Sequence, residues 1–563
     1  MTDMRSELAA LHLDNSISGS DTDVRQKCAY RQGRWWMAGM LVCSLGLAAC
    51  NSGNNTDGGT PVGGTPAAFP GTLTFRSDNA RTGQNLQEPI LTPDNVNSTK
   101  FGKLPSYPVD GKVYAQPLYM PNVTIGGQLH NVVFAVTAHD SVYAFDADNP
   151  GNPPLWHTSF INPSAGVTSV PSSDYPCSEI NPELGIISTP VIDPASGTLY
   201  VVAVTKENGP HVFRLHALSV TTGLDKVGTG TVIQASVPGT GDGNDGQGHV
   251  PFNAFQHKQR AALLLSHGRV YVGFAGNCDT PPYHGWLVGY DANSLALLAT
   301  FNSTPNGSEG AIWNGGPTAD ADGNVFVSTG NGTFDGRPPS GNNNWGDSVL
   351  KLAGGALTVL DFFTPFNQAD LFLQDLDLGS SAPVLLPGGL LVGAGKEGRI
   401  YLINRDNLGQ FQAGSDSQIV QEVTGQLVFT PNEGSNWSTA AYFHNTVYFM
   451  AYHDVLKAFS LINGRLSTSP VAQGSTQFGY LGASPVISAN GSSNGIVWLI
   501  GNSNPAVLHA YSAANVANEL YNSTMNPARD MLGGGVSFLV PTVANGKVYV
   551  ATGNELSVFG PLP

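Results

Sequence analysis

The residues of this 563-residue chain that could do chemistry gather in a few segments that read as loops. The longest, residues 161–189, holds Asp174, Cys177, Glu179 and Glu183. Residues 236–260 bring His257 and Arg260, and residues 273–286 bring Cys278 and His284. Further along stand Glu309 and Trp313, Asp375 and Asp377, Lys396 and Glu397, Trp437, and the pairs His139-Asp140 and His453-Asp454. Carboxylates can take a proton or hold a hard cation, Arg and Lys can hold an anion, and indole rings offer flat platforms. No spacing among them names a reaction by itself: there is no Gly-x-Ser-x-Gly elbow, His-Glu-x-x-His, Walker loop or Cys-x-x-Cys-His. Gly241-x-Gly243-x-x-Gly246 has the letters of a dinucleotide fingerprint, but no strand precedes it and no helix pattern follows. It reads as a loop whose Asp242, Asn244 and Asp245 could at most attract calcium. Asp320-Ala321-Asp322-Gly323-Asn324 reads as a hairpin turn, and the two His-Asp pairs share one position of a repeat, which points to a structural role.

That repeat is what must position the loops. A unit recurs eight times: a Pro or Ala, an apolar strand, a turn, a Val-Tyr-Val-like strand, a loop and a third strand. The opening residues are Pro117, Pro190, Ala262, Pro317, Pro383, Ala440, Pro485 and Pro541, roughly 45–73 residues apart, a period of propeller blades rather than of short solenoid coils. The second strands begin at Val132, Leu199, Val270, Val325, Leu390, Val447, Ile496 and Val548, rich in the β-branched and aromatic residues that suit half-buried sheets. The last unit stops after its third strand near Gly560. Thr72-Leu73-Thr74-Phe75-Arg76 is an unclaimed strand at the other end, so the pattern predicts that it completes the eighth blade and closes an all-β, eight-bladed ring. In a propeller, the loops that enter the first strand and those that join the second to the third gather on one face around the central channel, which places the candidate residues together.

Composition agrees with this class. Gly 68 and Pro 38 are too many for a helical bundle, 41% hydrophobic residues are too many for a disordered chain, and a formal charge of −16 argues against nucleic-acid binding. Residues 1–34 are polar and end in basic residues, and Trp35 to Ala49 form an apolar stretch too short to span a bilayer, so residues 1–49 read as a signal segment. Leu47-Ala48-Ala49-Cys50 is similar to a bacterial lipobox, which makes Cys50 the expected lipid carrier. Asn51 then favours the outer membrane, and residues 50–70 serve as a flexible tether before the folded body at 71–563. Two cysteines remain in an oxidising compartment, Cys177 and Cys278, either as one disulfide or as two separate buried thiols.

The third strand Val142-Tyr143-Ala144-Phe145-Asp146 followed by Trp156 resembles the pyrroloquinoline-quinone-repeat propellers, the quinoprotein alcohol dehydrogenases and their non-catalytic relatives. The family pattern Ala-x-Asp-x-x-Thr-Gly with a later Trp is eroded at Ala217–Gly223 and Ala458–Gly464, so other packing must join those blades. The adjacent cysteine pair of many quinoprotein alcohol dehydrogenases is missing. The resemblance implies two functions: a lipid-anchored envelope module that binds a ligand, protein or polymer, or a dehydrogenase of an alcohol, sugar or polymer using the quinone and calcium. A hydrolase or lyase on the same scaffold is a third. For the quinone reading, Arg260 and Lys396 would hold the carboxylates of the cofactor and Trp313 and Trp437 its ring. Glu179 and Asp375 would hold the metal, and Asp375, Asp377 or Glu179 would act as base.

Overall fold

The structure, a computed structural model, describes residues 69–177, 179–335 and 343–563. The signal, lipobox and nearly all of the tether lie outside the described residues, and Ala67–Pro563 forms one compact unit. Eight sheets, antiparallel but for a short parallel strand added at the edge of two of them, follow one another in chain order as the blades of a propeller. The first blade shows the plan: Leu118–Ile125, Gln128–Val136, Ser141–Asp146 and Trp156–Ser159 pair in sequence from the inside outward. The second strands of the eight blades are those read from the sequence: Gln128–Val136, Thr198–Glu207, Arg269–Gly276, Val325–Ser328, Leu390–Ala394, Thr446–Phe449, Ser493–Gly501 and Lys547–Ala551. Their apolar residues are almost wholly buried between neighbouring sheets, as Val270, Val272, Val447 and Val548 illustrate. Hairpins between first and second strands turn on residue pairs with positive φ, such as Gly126-Gly127, His267-Gly268 and Asn545-Gly546. Their twist matches that of the flanking strands.

An N-terminal strand closes the ring as expected, but it is Phe101–Pro108 and not Thr72–Arg76. Phe101–Pro108 pairs antiparallel with the final strand Glu555–Pro561, Phe101 opposite Pro561 and Pro108 opposite Glu555. As the outermost strand of its blade it needs hydrogen bonds on one side only, so Pro105 is tolerated where the register shifts between Leu104 and Tyr107.

Thr72–Asn85 instead lies across the inner strands and visits all eight blades in order. Its carbonyls accept from Tyr119 (Thr72 O, 2.9 Å), Ile192 (Leu73 O, 2.8 Å), Ala319 (Asn79 O, 2.9 Å), Leu385 (Ala80 O, 3.0 Å), Tyr442 (Thr82 O, 2.9 Å) and Ile487 (Gly83 O, 2.7 Å). The Asn79 and Asn85 amides donate to Leu265 O and Val543 O in the remaining two. Arg76 and Arg81 are fully buried in this crossing segment. Arg81 donates to Pro317 O, Leu263 O, Phe75 O and Thr74 Oγ1, and Arg76 to Pro485 O, Ala440 O and Arg81 O. Three of these carbonyls belong to the Pro or Ala that opens a repeat, so two guanidinium forks satisfy groups that the repeat aims at the axis. Burial pulls the two guanidiniums down, to about 9 for Arg76 and about 10 for Arg81, leaving both charged at neutral pH.

The expectation of different packing between blades has a specific form. Trp156 donates to Val220 O of the next blade, but elsewhere a second-strand tyrosine does this work. Tyr200, Tyr271 and Tyr448 donate to Ala292 O, Gly354 O and Ala513 O, each in the turn after the third strand of the following blade. A buried phenol supplies apolar area and spends its hydroxyl on a turn carbonyl, so it replaces the indole on both counts.

Candidate functional site

The candidate mouth is built from loops leading into first strands and loops joining second to third strands. Asp375 and Asp377 follow the short helix Gln368–Leu373, and Lys396 follows the second strand of blade five, Leu390–Ala394. Lys396 is buried and pairs with Asp377 Oδ2 at 2.6 Å and Asp375 Oδ1 at 3.1 Å, while its ammonium lies 4.6 Å from the Trp437 ring centroid. Burial lowers the affinity of this ammonium for its proton, but the two carboxylates outweigh it and hold the group above its ordinary value. Asn331 braces both acids, its backbone N–H on Asp377 Oδ1 (2.7 Å) and its amide on Asp375 Oδ1 (2.6 Å).

Trp313 packs edge-on against Trp437 at 5.7 Å and against Phe538 at 5.8 Å. Arg260 lies over the Phe538 ring at 4.1 Å and donates to Ser537 O at 3.0 Å. Burial brings this guanidinium to about 10, with Tyr114 and Glu179 pulling the other way. Glu179 forms an ion pair with the buried Lys258. Burial pushes the Glu179 carboxyl up, yet Lys258, Arg260 and Lys396 together hold it below the usual range. Cys177 and Cys278 are joined, Cα atoms 5.6 Å apart, which ties the loop of Glu179 to the loop of blade three. Beneath these groups a cavity of about 30 Å³ is bounded by Phe75 of the crossing segment and by Tyr114, Arg260, Asn314 and Phe538.

The sequence reading missed four members of this mouth: Lys258, Asp279, Tyr480 and Phe538. Lys258 was signalled by its place two residues before Arg260, and Asp279 by following Cys278. Phe538 carries no such signal. Asp279 is pushed up to about 6, chiefly by the protein walls around it and then by the Asp377 carboxylate, with Lys258 pulling it down. Cys278, Asp279, Glu309, Asp375 and Phe538 all hold positive φ, between 45° and 65°, a strained conformation for such side chains and one that concentrates at functional sites.

Other candidates stand elsewhere or do structural work. His257 is buried: its Nδ1–H donates to Asn253 O, and its Nε2 accepts from the Trp286 indole and the His284 backbone. Burial holds it down at about 4. Glu397 pairs with Arg399, and Asp140 and Asp454 are buried acceptors for the backbone N–H groups of Val204 and Val428. Asp245 and Asp320 cap their own turns.

No protein-family model and no curated protein sequence matches the chain. Solved structures do match in fold. The quinohemoprotein alcohol dehydrogenase from Comamonas testosteroni is 15% identical with a TM-score of 0.58, covering 88% of this chain and 81% of that one. The quinohemoprotein alcohol dehydrogenase ADHIIG from Pseudomonas putida HK5 is 13% identical with a TM-score of 0.57, covering 87% and 80%. A europium-containing methanol dehydrogenase is 13% identical with a TM-score of 0.59, covering 88% and 98%. The fold is thus that of the quinoprotein propellers. Among the described residues no helix is long and apolar enough to cross a membrane.

Proposed function

We propose that this protein is a cell-envelope binding propeller, held at a membrane through lipid on Cys50, whose mouth captures a ligand or a protein partner without transforming it. The observation that supports this reading is that the two lysines of the mouth, Lys396 and Lys258, are already paired with its carboxylates, while Arg260 lies over the Phe538 ring. A quinone tricarboxylate with calcium requires free cations, a slot beside an aromatic face and several converging oxygen ligands. The residues present do not fit that group. Lys396 is taken by Asp375 and Asp377, Glu179 by Lys258, and Trp313 packs edge-on against two rings. Among the described residues, no group of three or more His, Cys, Asp or Glu is placed to hold a metal ion.

The experiment is a titration of the purified full-length protein with pyrroloquinoline quinone in the presence of calcium, following cofactor absorbance and the melting temperature. The expected result is no saturable binding and an unchanged melting temperature. Saturable binding near one per chain would overturn this reading in favour of a quinone-dependent dehydrogenase of an alcohol, sugar or polymer.

A further inference from the structure

A second cavity, of about 360 Å³, shares no lining residue with the axial one. Its polar wall comes from three elements. Asp174 closes the short turn Ser172–Asp174. Lys206 and His211 face each other across the hairpin of blade two, and Asn253 and Phe255 lie in the loop that leads to blade three. Asp174 Oδ2 accepts from Lys206 Nζ and His211 Nε2, both at 2.8 Å, and the Tyr175 hydroxyl meets His211 Nδ1 at 2.9 Å. The His211 ring thus bridges the Asp174 carboxylate and the Tyr175 hydroxyl. The Asp174 carboxylate and the Lys206 ammonium balance each other in this wall.

Hydrogen-bonding capacity is left over among the residues that line this space. Among the described residues, Asp174 Oδ1, the Asn253 amide Nδ2 and two of the three Lys206 donors have no protein partner. Phe255 stands 46% exposed beside them, yet its ring is held in place by Tyr175 at 5.3 Å and His211 at 5.2 Å. An acceptor and several donors bracketing a fixed, exposed aromatic ring, with carboxylate and ammonium in balance and a volume in the range of small-ligand sites, match one ligand chemistry. Vicinal hydroxyls can bridge a carboxylate oxygen and an ammonium, while the C–H face of the same ring rests on the phenyl. We propose that this cavity binds a neutral hexose ring.

Ligand-observed saturation-transfer NMR on the full-length protein tests this, with glucose, galactose, mannose, maltose and cellobiose as probes and glucuronic acid and glucosamine as charged controls. The expected result is transfer to at least one neutral sugar, with millimolar affinity weakened at least tenfold in both Phe255→Ala and Asp174→Asn. Phe255→Ala truncates an exposed ring, so its melting temperature should match that of the parent. If Asp174→Asn lowers the melting temperature, Asn253→Ala takes its place. Absence of transfer to every neutral probe, binding of the charged sugars alone, or binding undiminished in Phe255→Ala would each overturn the proposal.

Discussion

Arg81 offers the sharpest test of how the ring is held shut. Arg81→Met keeps a long side chain in place but removes all five N–H donors. Pro317 O, Leu263 O and Phe75 O, which accept from Arg81 at 3.0, 3.0 and 2.9 Å, would lose that donor in a region with no solvent access. An unsatisfied buried acceptor costs about 1–3 kcal/mol, so three give roughly 3–9 kcal/mol. Removing the desolvation burden of a buried cation offsets part of this, and we place the net destabilisation at about 4 kcal/mol. A body of roughly 500 residues unfolds with an entropy near 1 kcal/mol/K, at about 2.1 cal/mol/K per residue, so the melting midpoint should fall by about 4 °C. Arg81→Lys retains the charge and up to three donors but not the planar fork, and should lose about half as much. Differential scanning calorimetry at pH 7 reads both. A midpoint for Arg81→Met within 1 °C of the parent would refute the argument, because it would mean that the carbonyls aimed at the axis do not depend on the crossing segment.

Lys396→Met should destabilise by about 3–5 kcal/mol, since it leaves the buried Asp377 carboxylate without its cation. Adding Asp377→Asn should restore about half of that loss in a denaturant melt, which a purely steric defect would not allow. Asp416 is buried, with Oδ1 accepting the Phe366 N–H and Oδ2 without a partner among the described residues. Burial pushes its carboxyl up to about 6. Its folded value lies above the unfolded one, so its contribution to stability is full below about pH 4 and is lost as pH rises through 6. Asp416→Asn should therefore gain about 2 kcal/mol relative to the parent between pH 4 and pH 7, a difference read from urea melts at the two values. Parallel stability profiles would refute that assignment.

The blades were legible because each second strand carries its own signal: a β-branched and aromatic run such as Val270–Phe274, fenced by a turn like His267-Gly268. The closing strand was not. Thr72–Arg76 has the alternation of a strand yet lies across the channel, whereas Phe101–Pro108 contains Gly102, Pro105 and Pro108 and forms a strand because a free sheet edge awaits it. Local propensity lost to tertiary context at both places. The loops of the mouth were legible as a group, since the repeat dictates which connections share a face. Their pairings were not: Lys396 meets Asp377 only through the geometry of two loops of blade five, and Phe538 reaches Arg260 across a separation of 278 residues.

The strand Phe101–Pro108 has a further consequence for how the molecule comes into being. Its partner, Glu555–Pro561, is made after all the other blades described above, so an early segment must wait for seven sheets to be synthesised before it can pair. Until then the eighth sheet is incomplete and the incipient ring has raw strand edges, which are templates for pairing with other chains. A chain that stops a few residues early would forfeit more than one strand, because the latch it lacks is also what brings the two ends of the ring together. Such a product should be recovered as aggregate or degraded rather than as a seven-bladed remnant, and a helper that shields β edges would matter most until Glu555–Pro561 has appeared.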